Sequence, residues 1–407
     1  MVGKIESHNP IISASPTQFV EVVQVRNNTV ISYSHSVDGN GGGNRETLKQ
    51  SLKCPVDEVL ESLYNEKEKI DLDKWIEEYK FYYDWKKKYF PFELKKLGTV
   101  SNSTAKRMRK LIENSVNAVY FGYDWKKDYK SQPYLTFLTT TLPAKQVHTD
   151  KVIKRAFTLF LENLVKTYKV KFYLWKAEAQ ANGNIHFHVL IDRFVEHTTV
   201  RRLWNAQMER LGYVKTYAKN MIEKGFVYNQ NSKKSRELQH LDYLLNKKNG
   251  FNNPNSTDIH SLKGIKNVAG YMIKYMTKNE ENKRPILGRL WGCSRNIKFL
   301  KYPEWVGENV CNKIVNLAEK HLKRIDGIDF VLMYKGNVWQ VLKRYGIEIY
   351  QKVKNYYKSL NKLLYEPEEN NIQRCNESIG GIAINGKENY NRFETVVQMP
   401  IFNSMAF

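Results

Sequence analysis

Apolar positions in the middle of the chain switch repeatedly between two spacings. YLTFLTTTLP (residues 134–143) is β-branched and ends at a proline, the pattern of a strand that stops. After Asp150, read as an N-cap, KVIKRAFTLFLENLVKTY repeats apolar residues every three and four positions, as an amphipathic helix does. VKFYLWKAEAQ and IHFHVLID return to alternation and predict two strands joined by a short turn. Thr199 opens a further helix with Val200, Leu203, Trp204, Met208 and Leu211 on one stripe and Gly212 as its stop. Weaker strands are expected near residues 213–217 and 225–228, and a helix over VAGYMIKYMTK. This β-α-β-β-α order predicts an α+β fold, a largely antiparallel sheet with helices on one face.

The flanks read differently. Residues 1–50 are polar, contain DGNGGGN, and are expected to be a disordered segment with a flexible linker. Residues 51–130 carry the helical patterns VDEVLESLY, LDKWIEEYKFYYDW and STAKRMRKLIENSVNAV on a basic, aromatic-laced surface. The sheet domain is placed at 131–298, a C-terminal helical region of mixed character at 299–367 with Pro367 as its stop, and a disordered tail at 368–407.

Charge then narrows the partners. Lys and Arg number 65 against 42 Asp and Glu, a net charge of +23, and 26 tyrosines offer flat stacking surfaces. A codon bias toward Lys and Asn accounts for part of the excess; a polyanionic partner, single-stranded nucleic acid above all, accounts for the rest. Cys54, Cys293, Cys311 and Cys375 have neither CxxC nor zinc spacing. The N-terminus lacks the apolar segment of a secretory signal, and no apolar run approaches bilayer length. A soluble protein of the cytoplasm is expected.

Two histidines interrupt the strand IHFHVLID. A three-residue loop of Asn182, Gly183 and Asn184 would set Gln180 opposite His186 and Glu178 opposite His188, with all four on one face. A two-residue loop would put alanines there instead. In the first register, His186, His188 and Glu178 form a divalent-metal site for Mg²⁺ or Mn²⁺, with Gln180 as an outer ligand. An arbitrary HxH in a strand is more often a pair of exposed edge histidines. In VAGYMIKYMTKN, Tyr271 and Tyr275 stack four apart, and Lys274 and Lys278 repeat the spacing. Tyrosine hydroxyls can attack phosphorus and lysines can steady the charge. Taken alone, the helix is equally a half-buried amphipathic one with snorkelling lysines.

Taken in order, FLTTTLP, HFH with Glu178 upstream, YMIKYMTK and LGRLWGCSRNIK resemble the HUH endonucleases, specifically the rolling-circle replication initiators of small phages and plasmids. The resemblance covers roughly residues 100–300. It implies a sheet of about five antiparallel strands with the metal site on its open face and the tyrosine helix beside it. It implies a metal on His186, His188 and Glu178, attack by Tyr271 or Tyr275 to leave a 5′-phosphotyrosine and a free 3′-hydroxyl, and later strand transfer. Thr136, Thr139 and Thr140 are assigned to shaping the first strand. GIAINGKE (residues 381–388) has Glu388 where a phosphate loop needs Ser or Thr. Helicase and DNA polymerase would therefore come from the host or from another gene of the replicon. A transposase or relaxase shares this chemistry; a non-catalytic single-stranded DNA-binding protein would leave Glu178 and the histidines without a role.

Overall fold

The computed structural model describes residues 19–36, 69–89, 100–122, 135–262, 268–277, 284–298, 300–325 and 331–365. The chain opens with a hairpin of β1 (Phe19–Val25) and β2 (Thr29–Ser36). Helices α1 (Leu72–Tyr89) and α2 (Asn102–Gly122) follow, then β3 (Thr136–Thr140) and α3 (Asp150–Tyr168). The hairpin of β4 (Tyr173–Ala179) and β5 (Ile185–Ile191) leads into α4 (His197–Arg210), α5 (Tyr213–Lys224) and α6 (Arg236–Lys248). Next come β6 (Thr257–Ser261), α7 (Val268–Thr277) and the short strands β7 (Trp291–Cys293) and β8 (Glu304–Val306). The described chain closes with α8 (Glu308–His321), β9 (Lys323–Ile325), β10 (Val331–Lys335), α9 (Val338–Tyr345) and α10 (Ile347–Tyr365). The fold is α+β, and its strands form two antiparallel five-stranded sheets.

The central sheet runs β6-β3-β5-β4-β7. Strand alternation sends Trp175, Ala177, Phe187, Val189 and Leu138 to one face, against Phe157 and Phe160 of α3 and Trp204 of α4. Phe157 stacks on Phe187 at 3.9 Å between ring centroids, the tightest aromatic contact of that layer. The opposite face sends Phe137, Leu174 and Leu190 toward Met272, Ile273 and Met276 of α7, which α2 backs. Helix α3 is capped by Thr149, whose hydroxyl accepts from the Val152 amide at 3.5 Å, and not by Asp150. Asp150, the first helical residue, turns inward and is fully buried.

The second sheet, β8-β1-β2-β10-β9, joins the two ends of the chain. It corrects the expectation of disorder for residues 1–50 over residues 19–36, because the hairpin's apolar residues Val23, Val25 and Val30 are buried. Their partners Trp305 and Tyr334 lie some three hundred residues on, out of reach of any local pattern. Residues 1–18 and 37–50, the VDEVLESLY segment and the tail at 368–407 lie outside the described residues. Region 299–367 contains the expected helices, plus β8, β9 and β10; α10 ends at Tyr365, ahead of Pro367. The strands expected near 213–217 and 225–228 are instead α5 and a loop. Adjacent Tyr213 and Val214 are both buried, which a helix permits and a half-buried strand does not. Helix α2 ties the two sheets together with buried polar contacts: the Tyr302 hydroxyl donates to Glu113 Oε2 at 2.8 Å and the Tyr357 hydroxyl to Asn114 Oδ1 at 3.1 Å. Among the described residues, no helix is long and apolar enough to cross a membrane.

Candidate metal and tyrosine site

The β4–β5 hairpin decides what the two histidines meet. Glu178 pairs with His186, and Lys176 with His188. Relative to the three-residue-loop expectation, the strands have slid by two positions. A slide of two leaves every side chain on its original face, so the cluster survives while its partners change. Residues 180–184 form the turn, where the Gln180 amide donates to the Asn184 carbonyl at 2.8 Å. Gln180 is therefore not opposite His186 and is not part of the ligand group, a correction to its expected place as an outer ligand.

Glu178, His186 and His188 bring their ligand atoms within 4.8 Å of one another. Glu178 Oε1 lies 2.8 Å from His186 Nε2 and 2.9 Å from His188 Nε2, so both imidazoles converge on a single oxygen. The other carboxylate oxygen accepts from Lys176 Nζ at 3.2 Å. Burial alone would raise the Glu178 carboxyl; the two histidine hydrogen bonds and the charges of His188 and Lys176 outweigh it and hold the group well below the usual carboxylate range. Lys176 was missed in the sequence, although period-two alternation puts 176, 178, 186 and 188 on one face once the register is known.

His188 is held on three sides. Phe137 stacks on its ring at 5.3 Å and 13°, and Thr139 Oγ1 lies 3.1 Å from Nδ1. A hydroxyl can donate to Nδ1 or accept from it, so Thr139 supports the tautomer that gives Glu178 a proton and the one that frees Nε2 for a metal. Thr139 thus orients a ligand, beyond its expected part in shaping the strand. Thr136 and Thr140 face the other way and are fully buried.

Helix α7 crosses the same face. The Tyr275 ring is 6.3 Å from His188 and 5.7 Å from Phe137, and Tyr271 is 4.8 Å from Tyr275. Tyr275 is 37% exposed, whereas Tyr271 is half-buried. The Tyr271 hydroxyl has its pKa raised by burial, then by its hydrogen bond to Tyr275 and by the charges of Tyr275 and Asp258. Lys274 is exposed on the same helix; Lys278 lies outside the described residues.

A buried ion pair anchors the turn of the site hairpin. Arg284, just beyond the tyrosine helix, makes a bidentate pair with Asp150 at 2.9 and 3.0 Å and donates to the Gly183 carbonyl. Gln146 Nε2 donates to Asp150 Oδ1 at 2.9 Å, and Gln146 Oε1 accepts from the Ile185 amide at 2.8 Å. Gly183 has φ +82°, and a Cβ there would sit 2.9 Å from Ile76 of α1, so only glycine closes this turn. Burial would raise the Asp150 carboxyl, but Arg284 and Gln146 outweigh it and lower it.

Lys154, beside this pair, donates to the Leu287 carbonyl. Burial chiefly lowers its ammonium to about 8, with Asp150 opposing and Arg284 assisting. A lysine depressed in the fold binds fewer protons folded than unfolded between pH 8 and its ordinary value of 10.5. Its contribution to stability therefore rises with pH across that window, with a limiting slope of about 1.4 kcal/mol for each pH unit. Lys154→Met is expected to flatten that rise in urea melts at pH 7.5 to 10; an unchanged slope would show the ammonium to be hydrated.

The comparisons with known proteins bear on the same segment. Residues 135–280 match the family model for the replication-associated protein ORF2 family. The match spans under half of the chain, and it encloses β3, the β4–β5 hairpin and α7. It supports a replication-associated protein that works on DNA. No curated protein and no solved structure matches the chain.

Proposed function

We propose that the chain is a rolling-circle replication initiator of the HUH type, nicking single-stranded origin DNA through a tyrosine. The observation that carries the reading is the meeting over one sheet face of a carboxylate–imidazole cluster and a tyrosine pair, with Tyr275 and His188 ring centroids 6.3 Å apart. Two imidazoles and a carboxylate converging on one point suit a divalent ion such as Mg²⁺ or Mn²⁺, which His186, His188 and Glu178 would hold. Bound there, the ion polarises a phosphate oxygen and offsets developing charge.

The chain's own groups supply the rest. Tyr275 Oη attacks phosphorus and gives up its proton, while the bond from phosphorus to the 3′ oxygen breaks. The 5′ phosphate stays esterified to the tyrosine, and the 3′ oxygen leaves as a hydroxyl after taking up a proton. Lys274 lies near enough along the helix to steady the phosphate, and Lys278 repeats its spacing. Tyr271, hydrogen-bonded to Tyr275, is placed to carry the later transfer that rejoins the strand. The freed 3′-hydroxyl would prime a DNA polymerase, with a host or replicon helicase opening the duplex in the cytoplasm of a prokaryotic cell.

The test is a denaturing gel of protein mixed with Mn²⁺ and single-stranded oligonucleotides spanning its replicon. A metal-dependent adduct that survives denaturant is expected. Tight binding with no adduct on any oligonucleotide would leave a DNA-binding protein without chemistry. Metal binding has its own readout. Mn²⁺ at a hundredfold over its dissociation constant is expected to stabilise the fold by about 2.7 kcal/mol, and His188→Ala to remove that increment. A thermal shift equal in the variant would place the ion elsewhere.

A further inference from the structure

The site face does not end at the ligand cluster. Direct pairing carries one row of residues across all five strands of the central sheet: Asp258, Thr139, His188, Lys176 and Trp291. Directly paired residues share a face, so Trp291 on edge strand β7 stands beside Lys176. Strands lie about 4.8 Å apart, which puts the indole about 10 Å from His188, a span that a short run of single-stranded backbone covers.

Beyond Trp291 opens a cleft of about 380 Å³ lined by Ser101, Thr104, Arg107, Arg289, Trp291 and Lys298, among others. Its described lining contains three cations and no carboxylate. Arg107, Arg289 and Lys298 are all exposed, and all three lie close enough to the Cys293 thiol to oppose the upward pull of its burial. The Arg107 guanidinium lies over the Trp291 ring, 5.6 Å from its centroid. Gly292 between them has no room to vary: a Cβ would meet Trp175 Nε1 at 2.7 Å, which fixes how β7 lies against the sheet. An aromatic surface, a planar guanidinium with bidentate donors and two further cations are what a nucleotide needs: stacking for the base and paired N–H groups for the phosphate.

We propose that this cleft is a nucleotide subsite for the DNA strand that crosses the catalytic face, holding a phosphate on Arg107, Arg289 and Lys298 and a base against Trp291. It rests on the reading that single-stranded DNA lies over the His186–His188–Glu178 cluster. It also accounts for the stretch LGRLWGCSRNIK, because Arg289, Trp291 and Lys298 of that stretch all face one opening, which α2 closes from the far side with Arg107. The subsite sets where the strand sits, and so which phosphate reaches Tyr275.

The experiment is fluorescence anisotropy of labelled single-stranded oligonucleotides from the replicon, in Mn²⁺, over a salt series. Its arms are the wild type, Arg289→Ala, Arg107→Ala/Arg289→Ala, Trp291→Phe, and the exposed pair Lys247→Ala/Lys248→Ala on α6 as a control of equal charge. The double cleft variant is expected to bind at least about tenfold more weakly. Its salt slope should be lower by about 1.4, since each single-strand phosphate contact contributes about 0.7. The α6 control should lose less. Oligonucleotides shortened stepwise from each end should include one truncation, on one side of the nick, that erases the difference between wild type and variant. Arg289→Ala removes a single exposed side chain, so it tests the cleft even if the double variant does not fold.

Cleft variants that bind every oligonucleotide with wild-type affinity and slope, while the wild type forms its adduct, would overturn the subsite and leave the nicking reading standing. Weakened binding by those variants, with no adduct from the wild type, would keep the subsite and remove the nicking reading.

Discussion

Tyr275→Phe is expected to lower the rate of covalent adduct formation at least about a thousandfold, as loss of a nucleophile does, while Tyr271→Phe keeps a measurable first adduct. The two tyrosines sit one helical turn apart and look alike in sequence, but their surroundings differ. Tyr275 is the one whose ring reaches His188, and at 37% exposure its hydroxyl is open to an incoming phosphate. Tyr271 is half-buried, and its proton is held by burial and by the hydrogen bond to Tyr275. A donated hydrogen bond stabilises the Tyr275 oxygen as it gains negative charge, so Tyr271→Phe should slow the first step by a modest factor and impair the second. Quenched time courses with a single-turnover excess of protein separate these effects. A first adduct that survives Tyr275→Phe and vanishes in Tyr271→Phe would exchange the two roles.

The pleat explains how much of this site was legible beforehand. Alternation at 174–179 and 185–191 sets which side chains share a face, and the observed slide of two residues could not alter that parity. The three ligand atoms therefore meet, although each expected partner was off by one pair. Helical spacing likewise placed Tyr271 and Tyr275 on one face of α7. What the sequence could not reveal depends on distant pairing. Lys176 faces His188 only because the turn spans residues 180–184, and Trp291 joins the row only through the three-residue strand β7. The hairpin of β1 and β2 stays invisible for the same reason, since its sheet partners come from the opposite end of the chain. Asp150 misled because an acid before an amphipathic helix is a good capping residue, whereas here Thr149 caps and Asp150 is committed to Arg284.

Arg284→Met is expected to cost about 3–5 kcal/mol of stability at pH 7, the range found when one member of a buried ion pair is removed. The cost arises because Asp150, fully buried, keeps its charge and loses two N–H donors. In the wild type the carboxyl is lowered, so its contribution is present above the ordinary carboxylate range and is lost only as pH falls through the lower folded value. In the variant, burial acts unopposed by the guanidinium and raises the group, so protonation relieves the penalty. The stability difference between the two proteins should therefore be largest near neutrality and shrink on acidification, and Asp150→Asn/Arg284→Met should recover part of it. Urea melts from pH 4 to 8 measure this directly. A difference independent of pH would mean that the lost stability is packing against Trp75, over which the guanidinium lies at 5.4 Å, and not the uncompensated charge. The same variant also reaches the chemistry, because Arg284 holds the Gly183 carbonyl and, with Gln146, the turn that sets Glu178 opposite His186. Mn²⁺ affinity should fall in the single variant even where the protein remains folded, since a loosened turn lets the two strands slide and separates the carboxylate from its imidazoles.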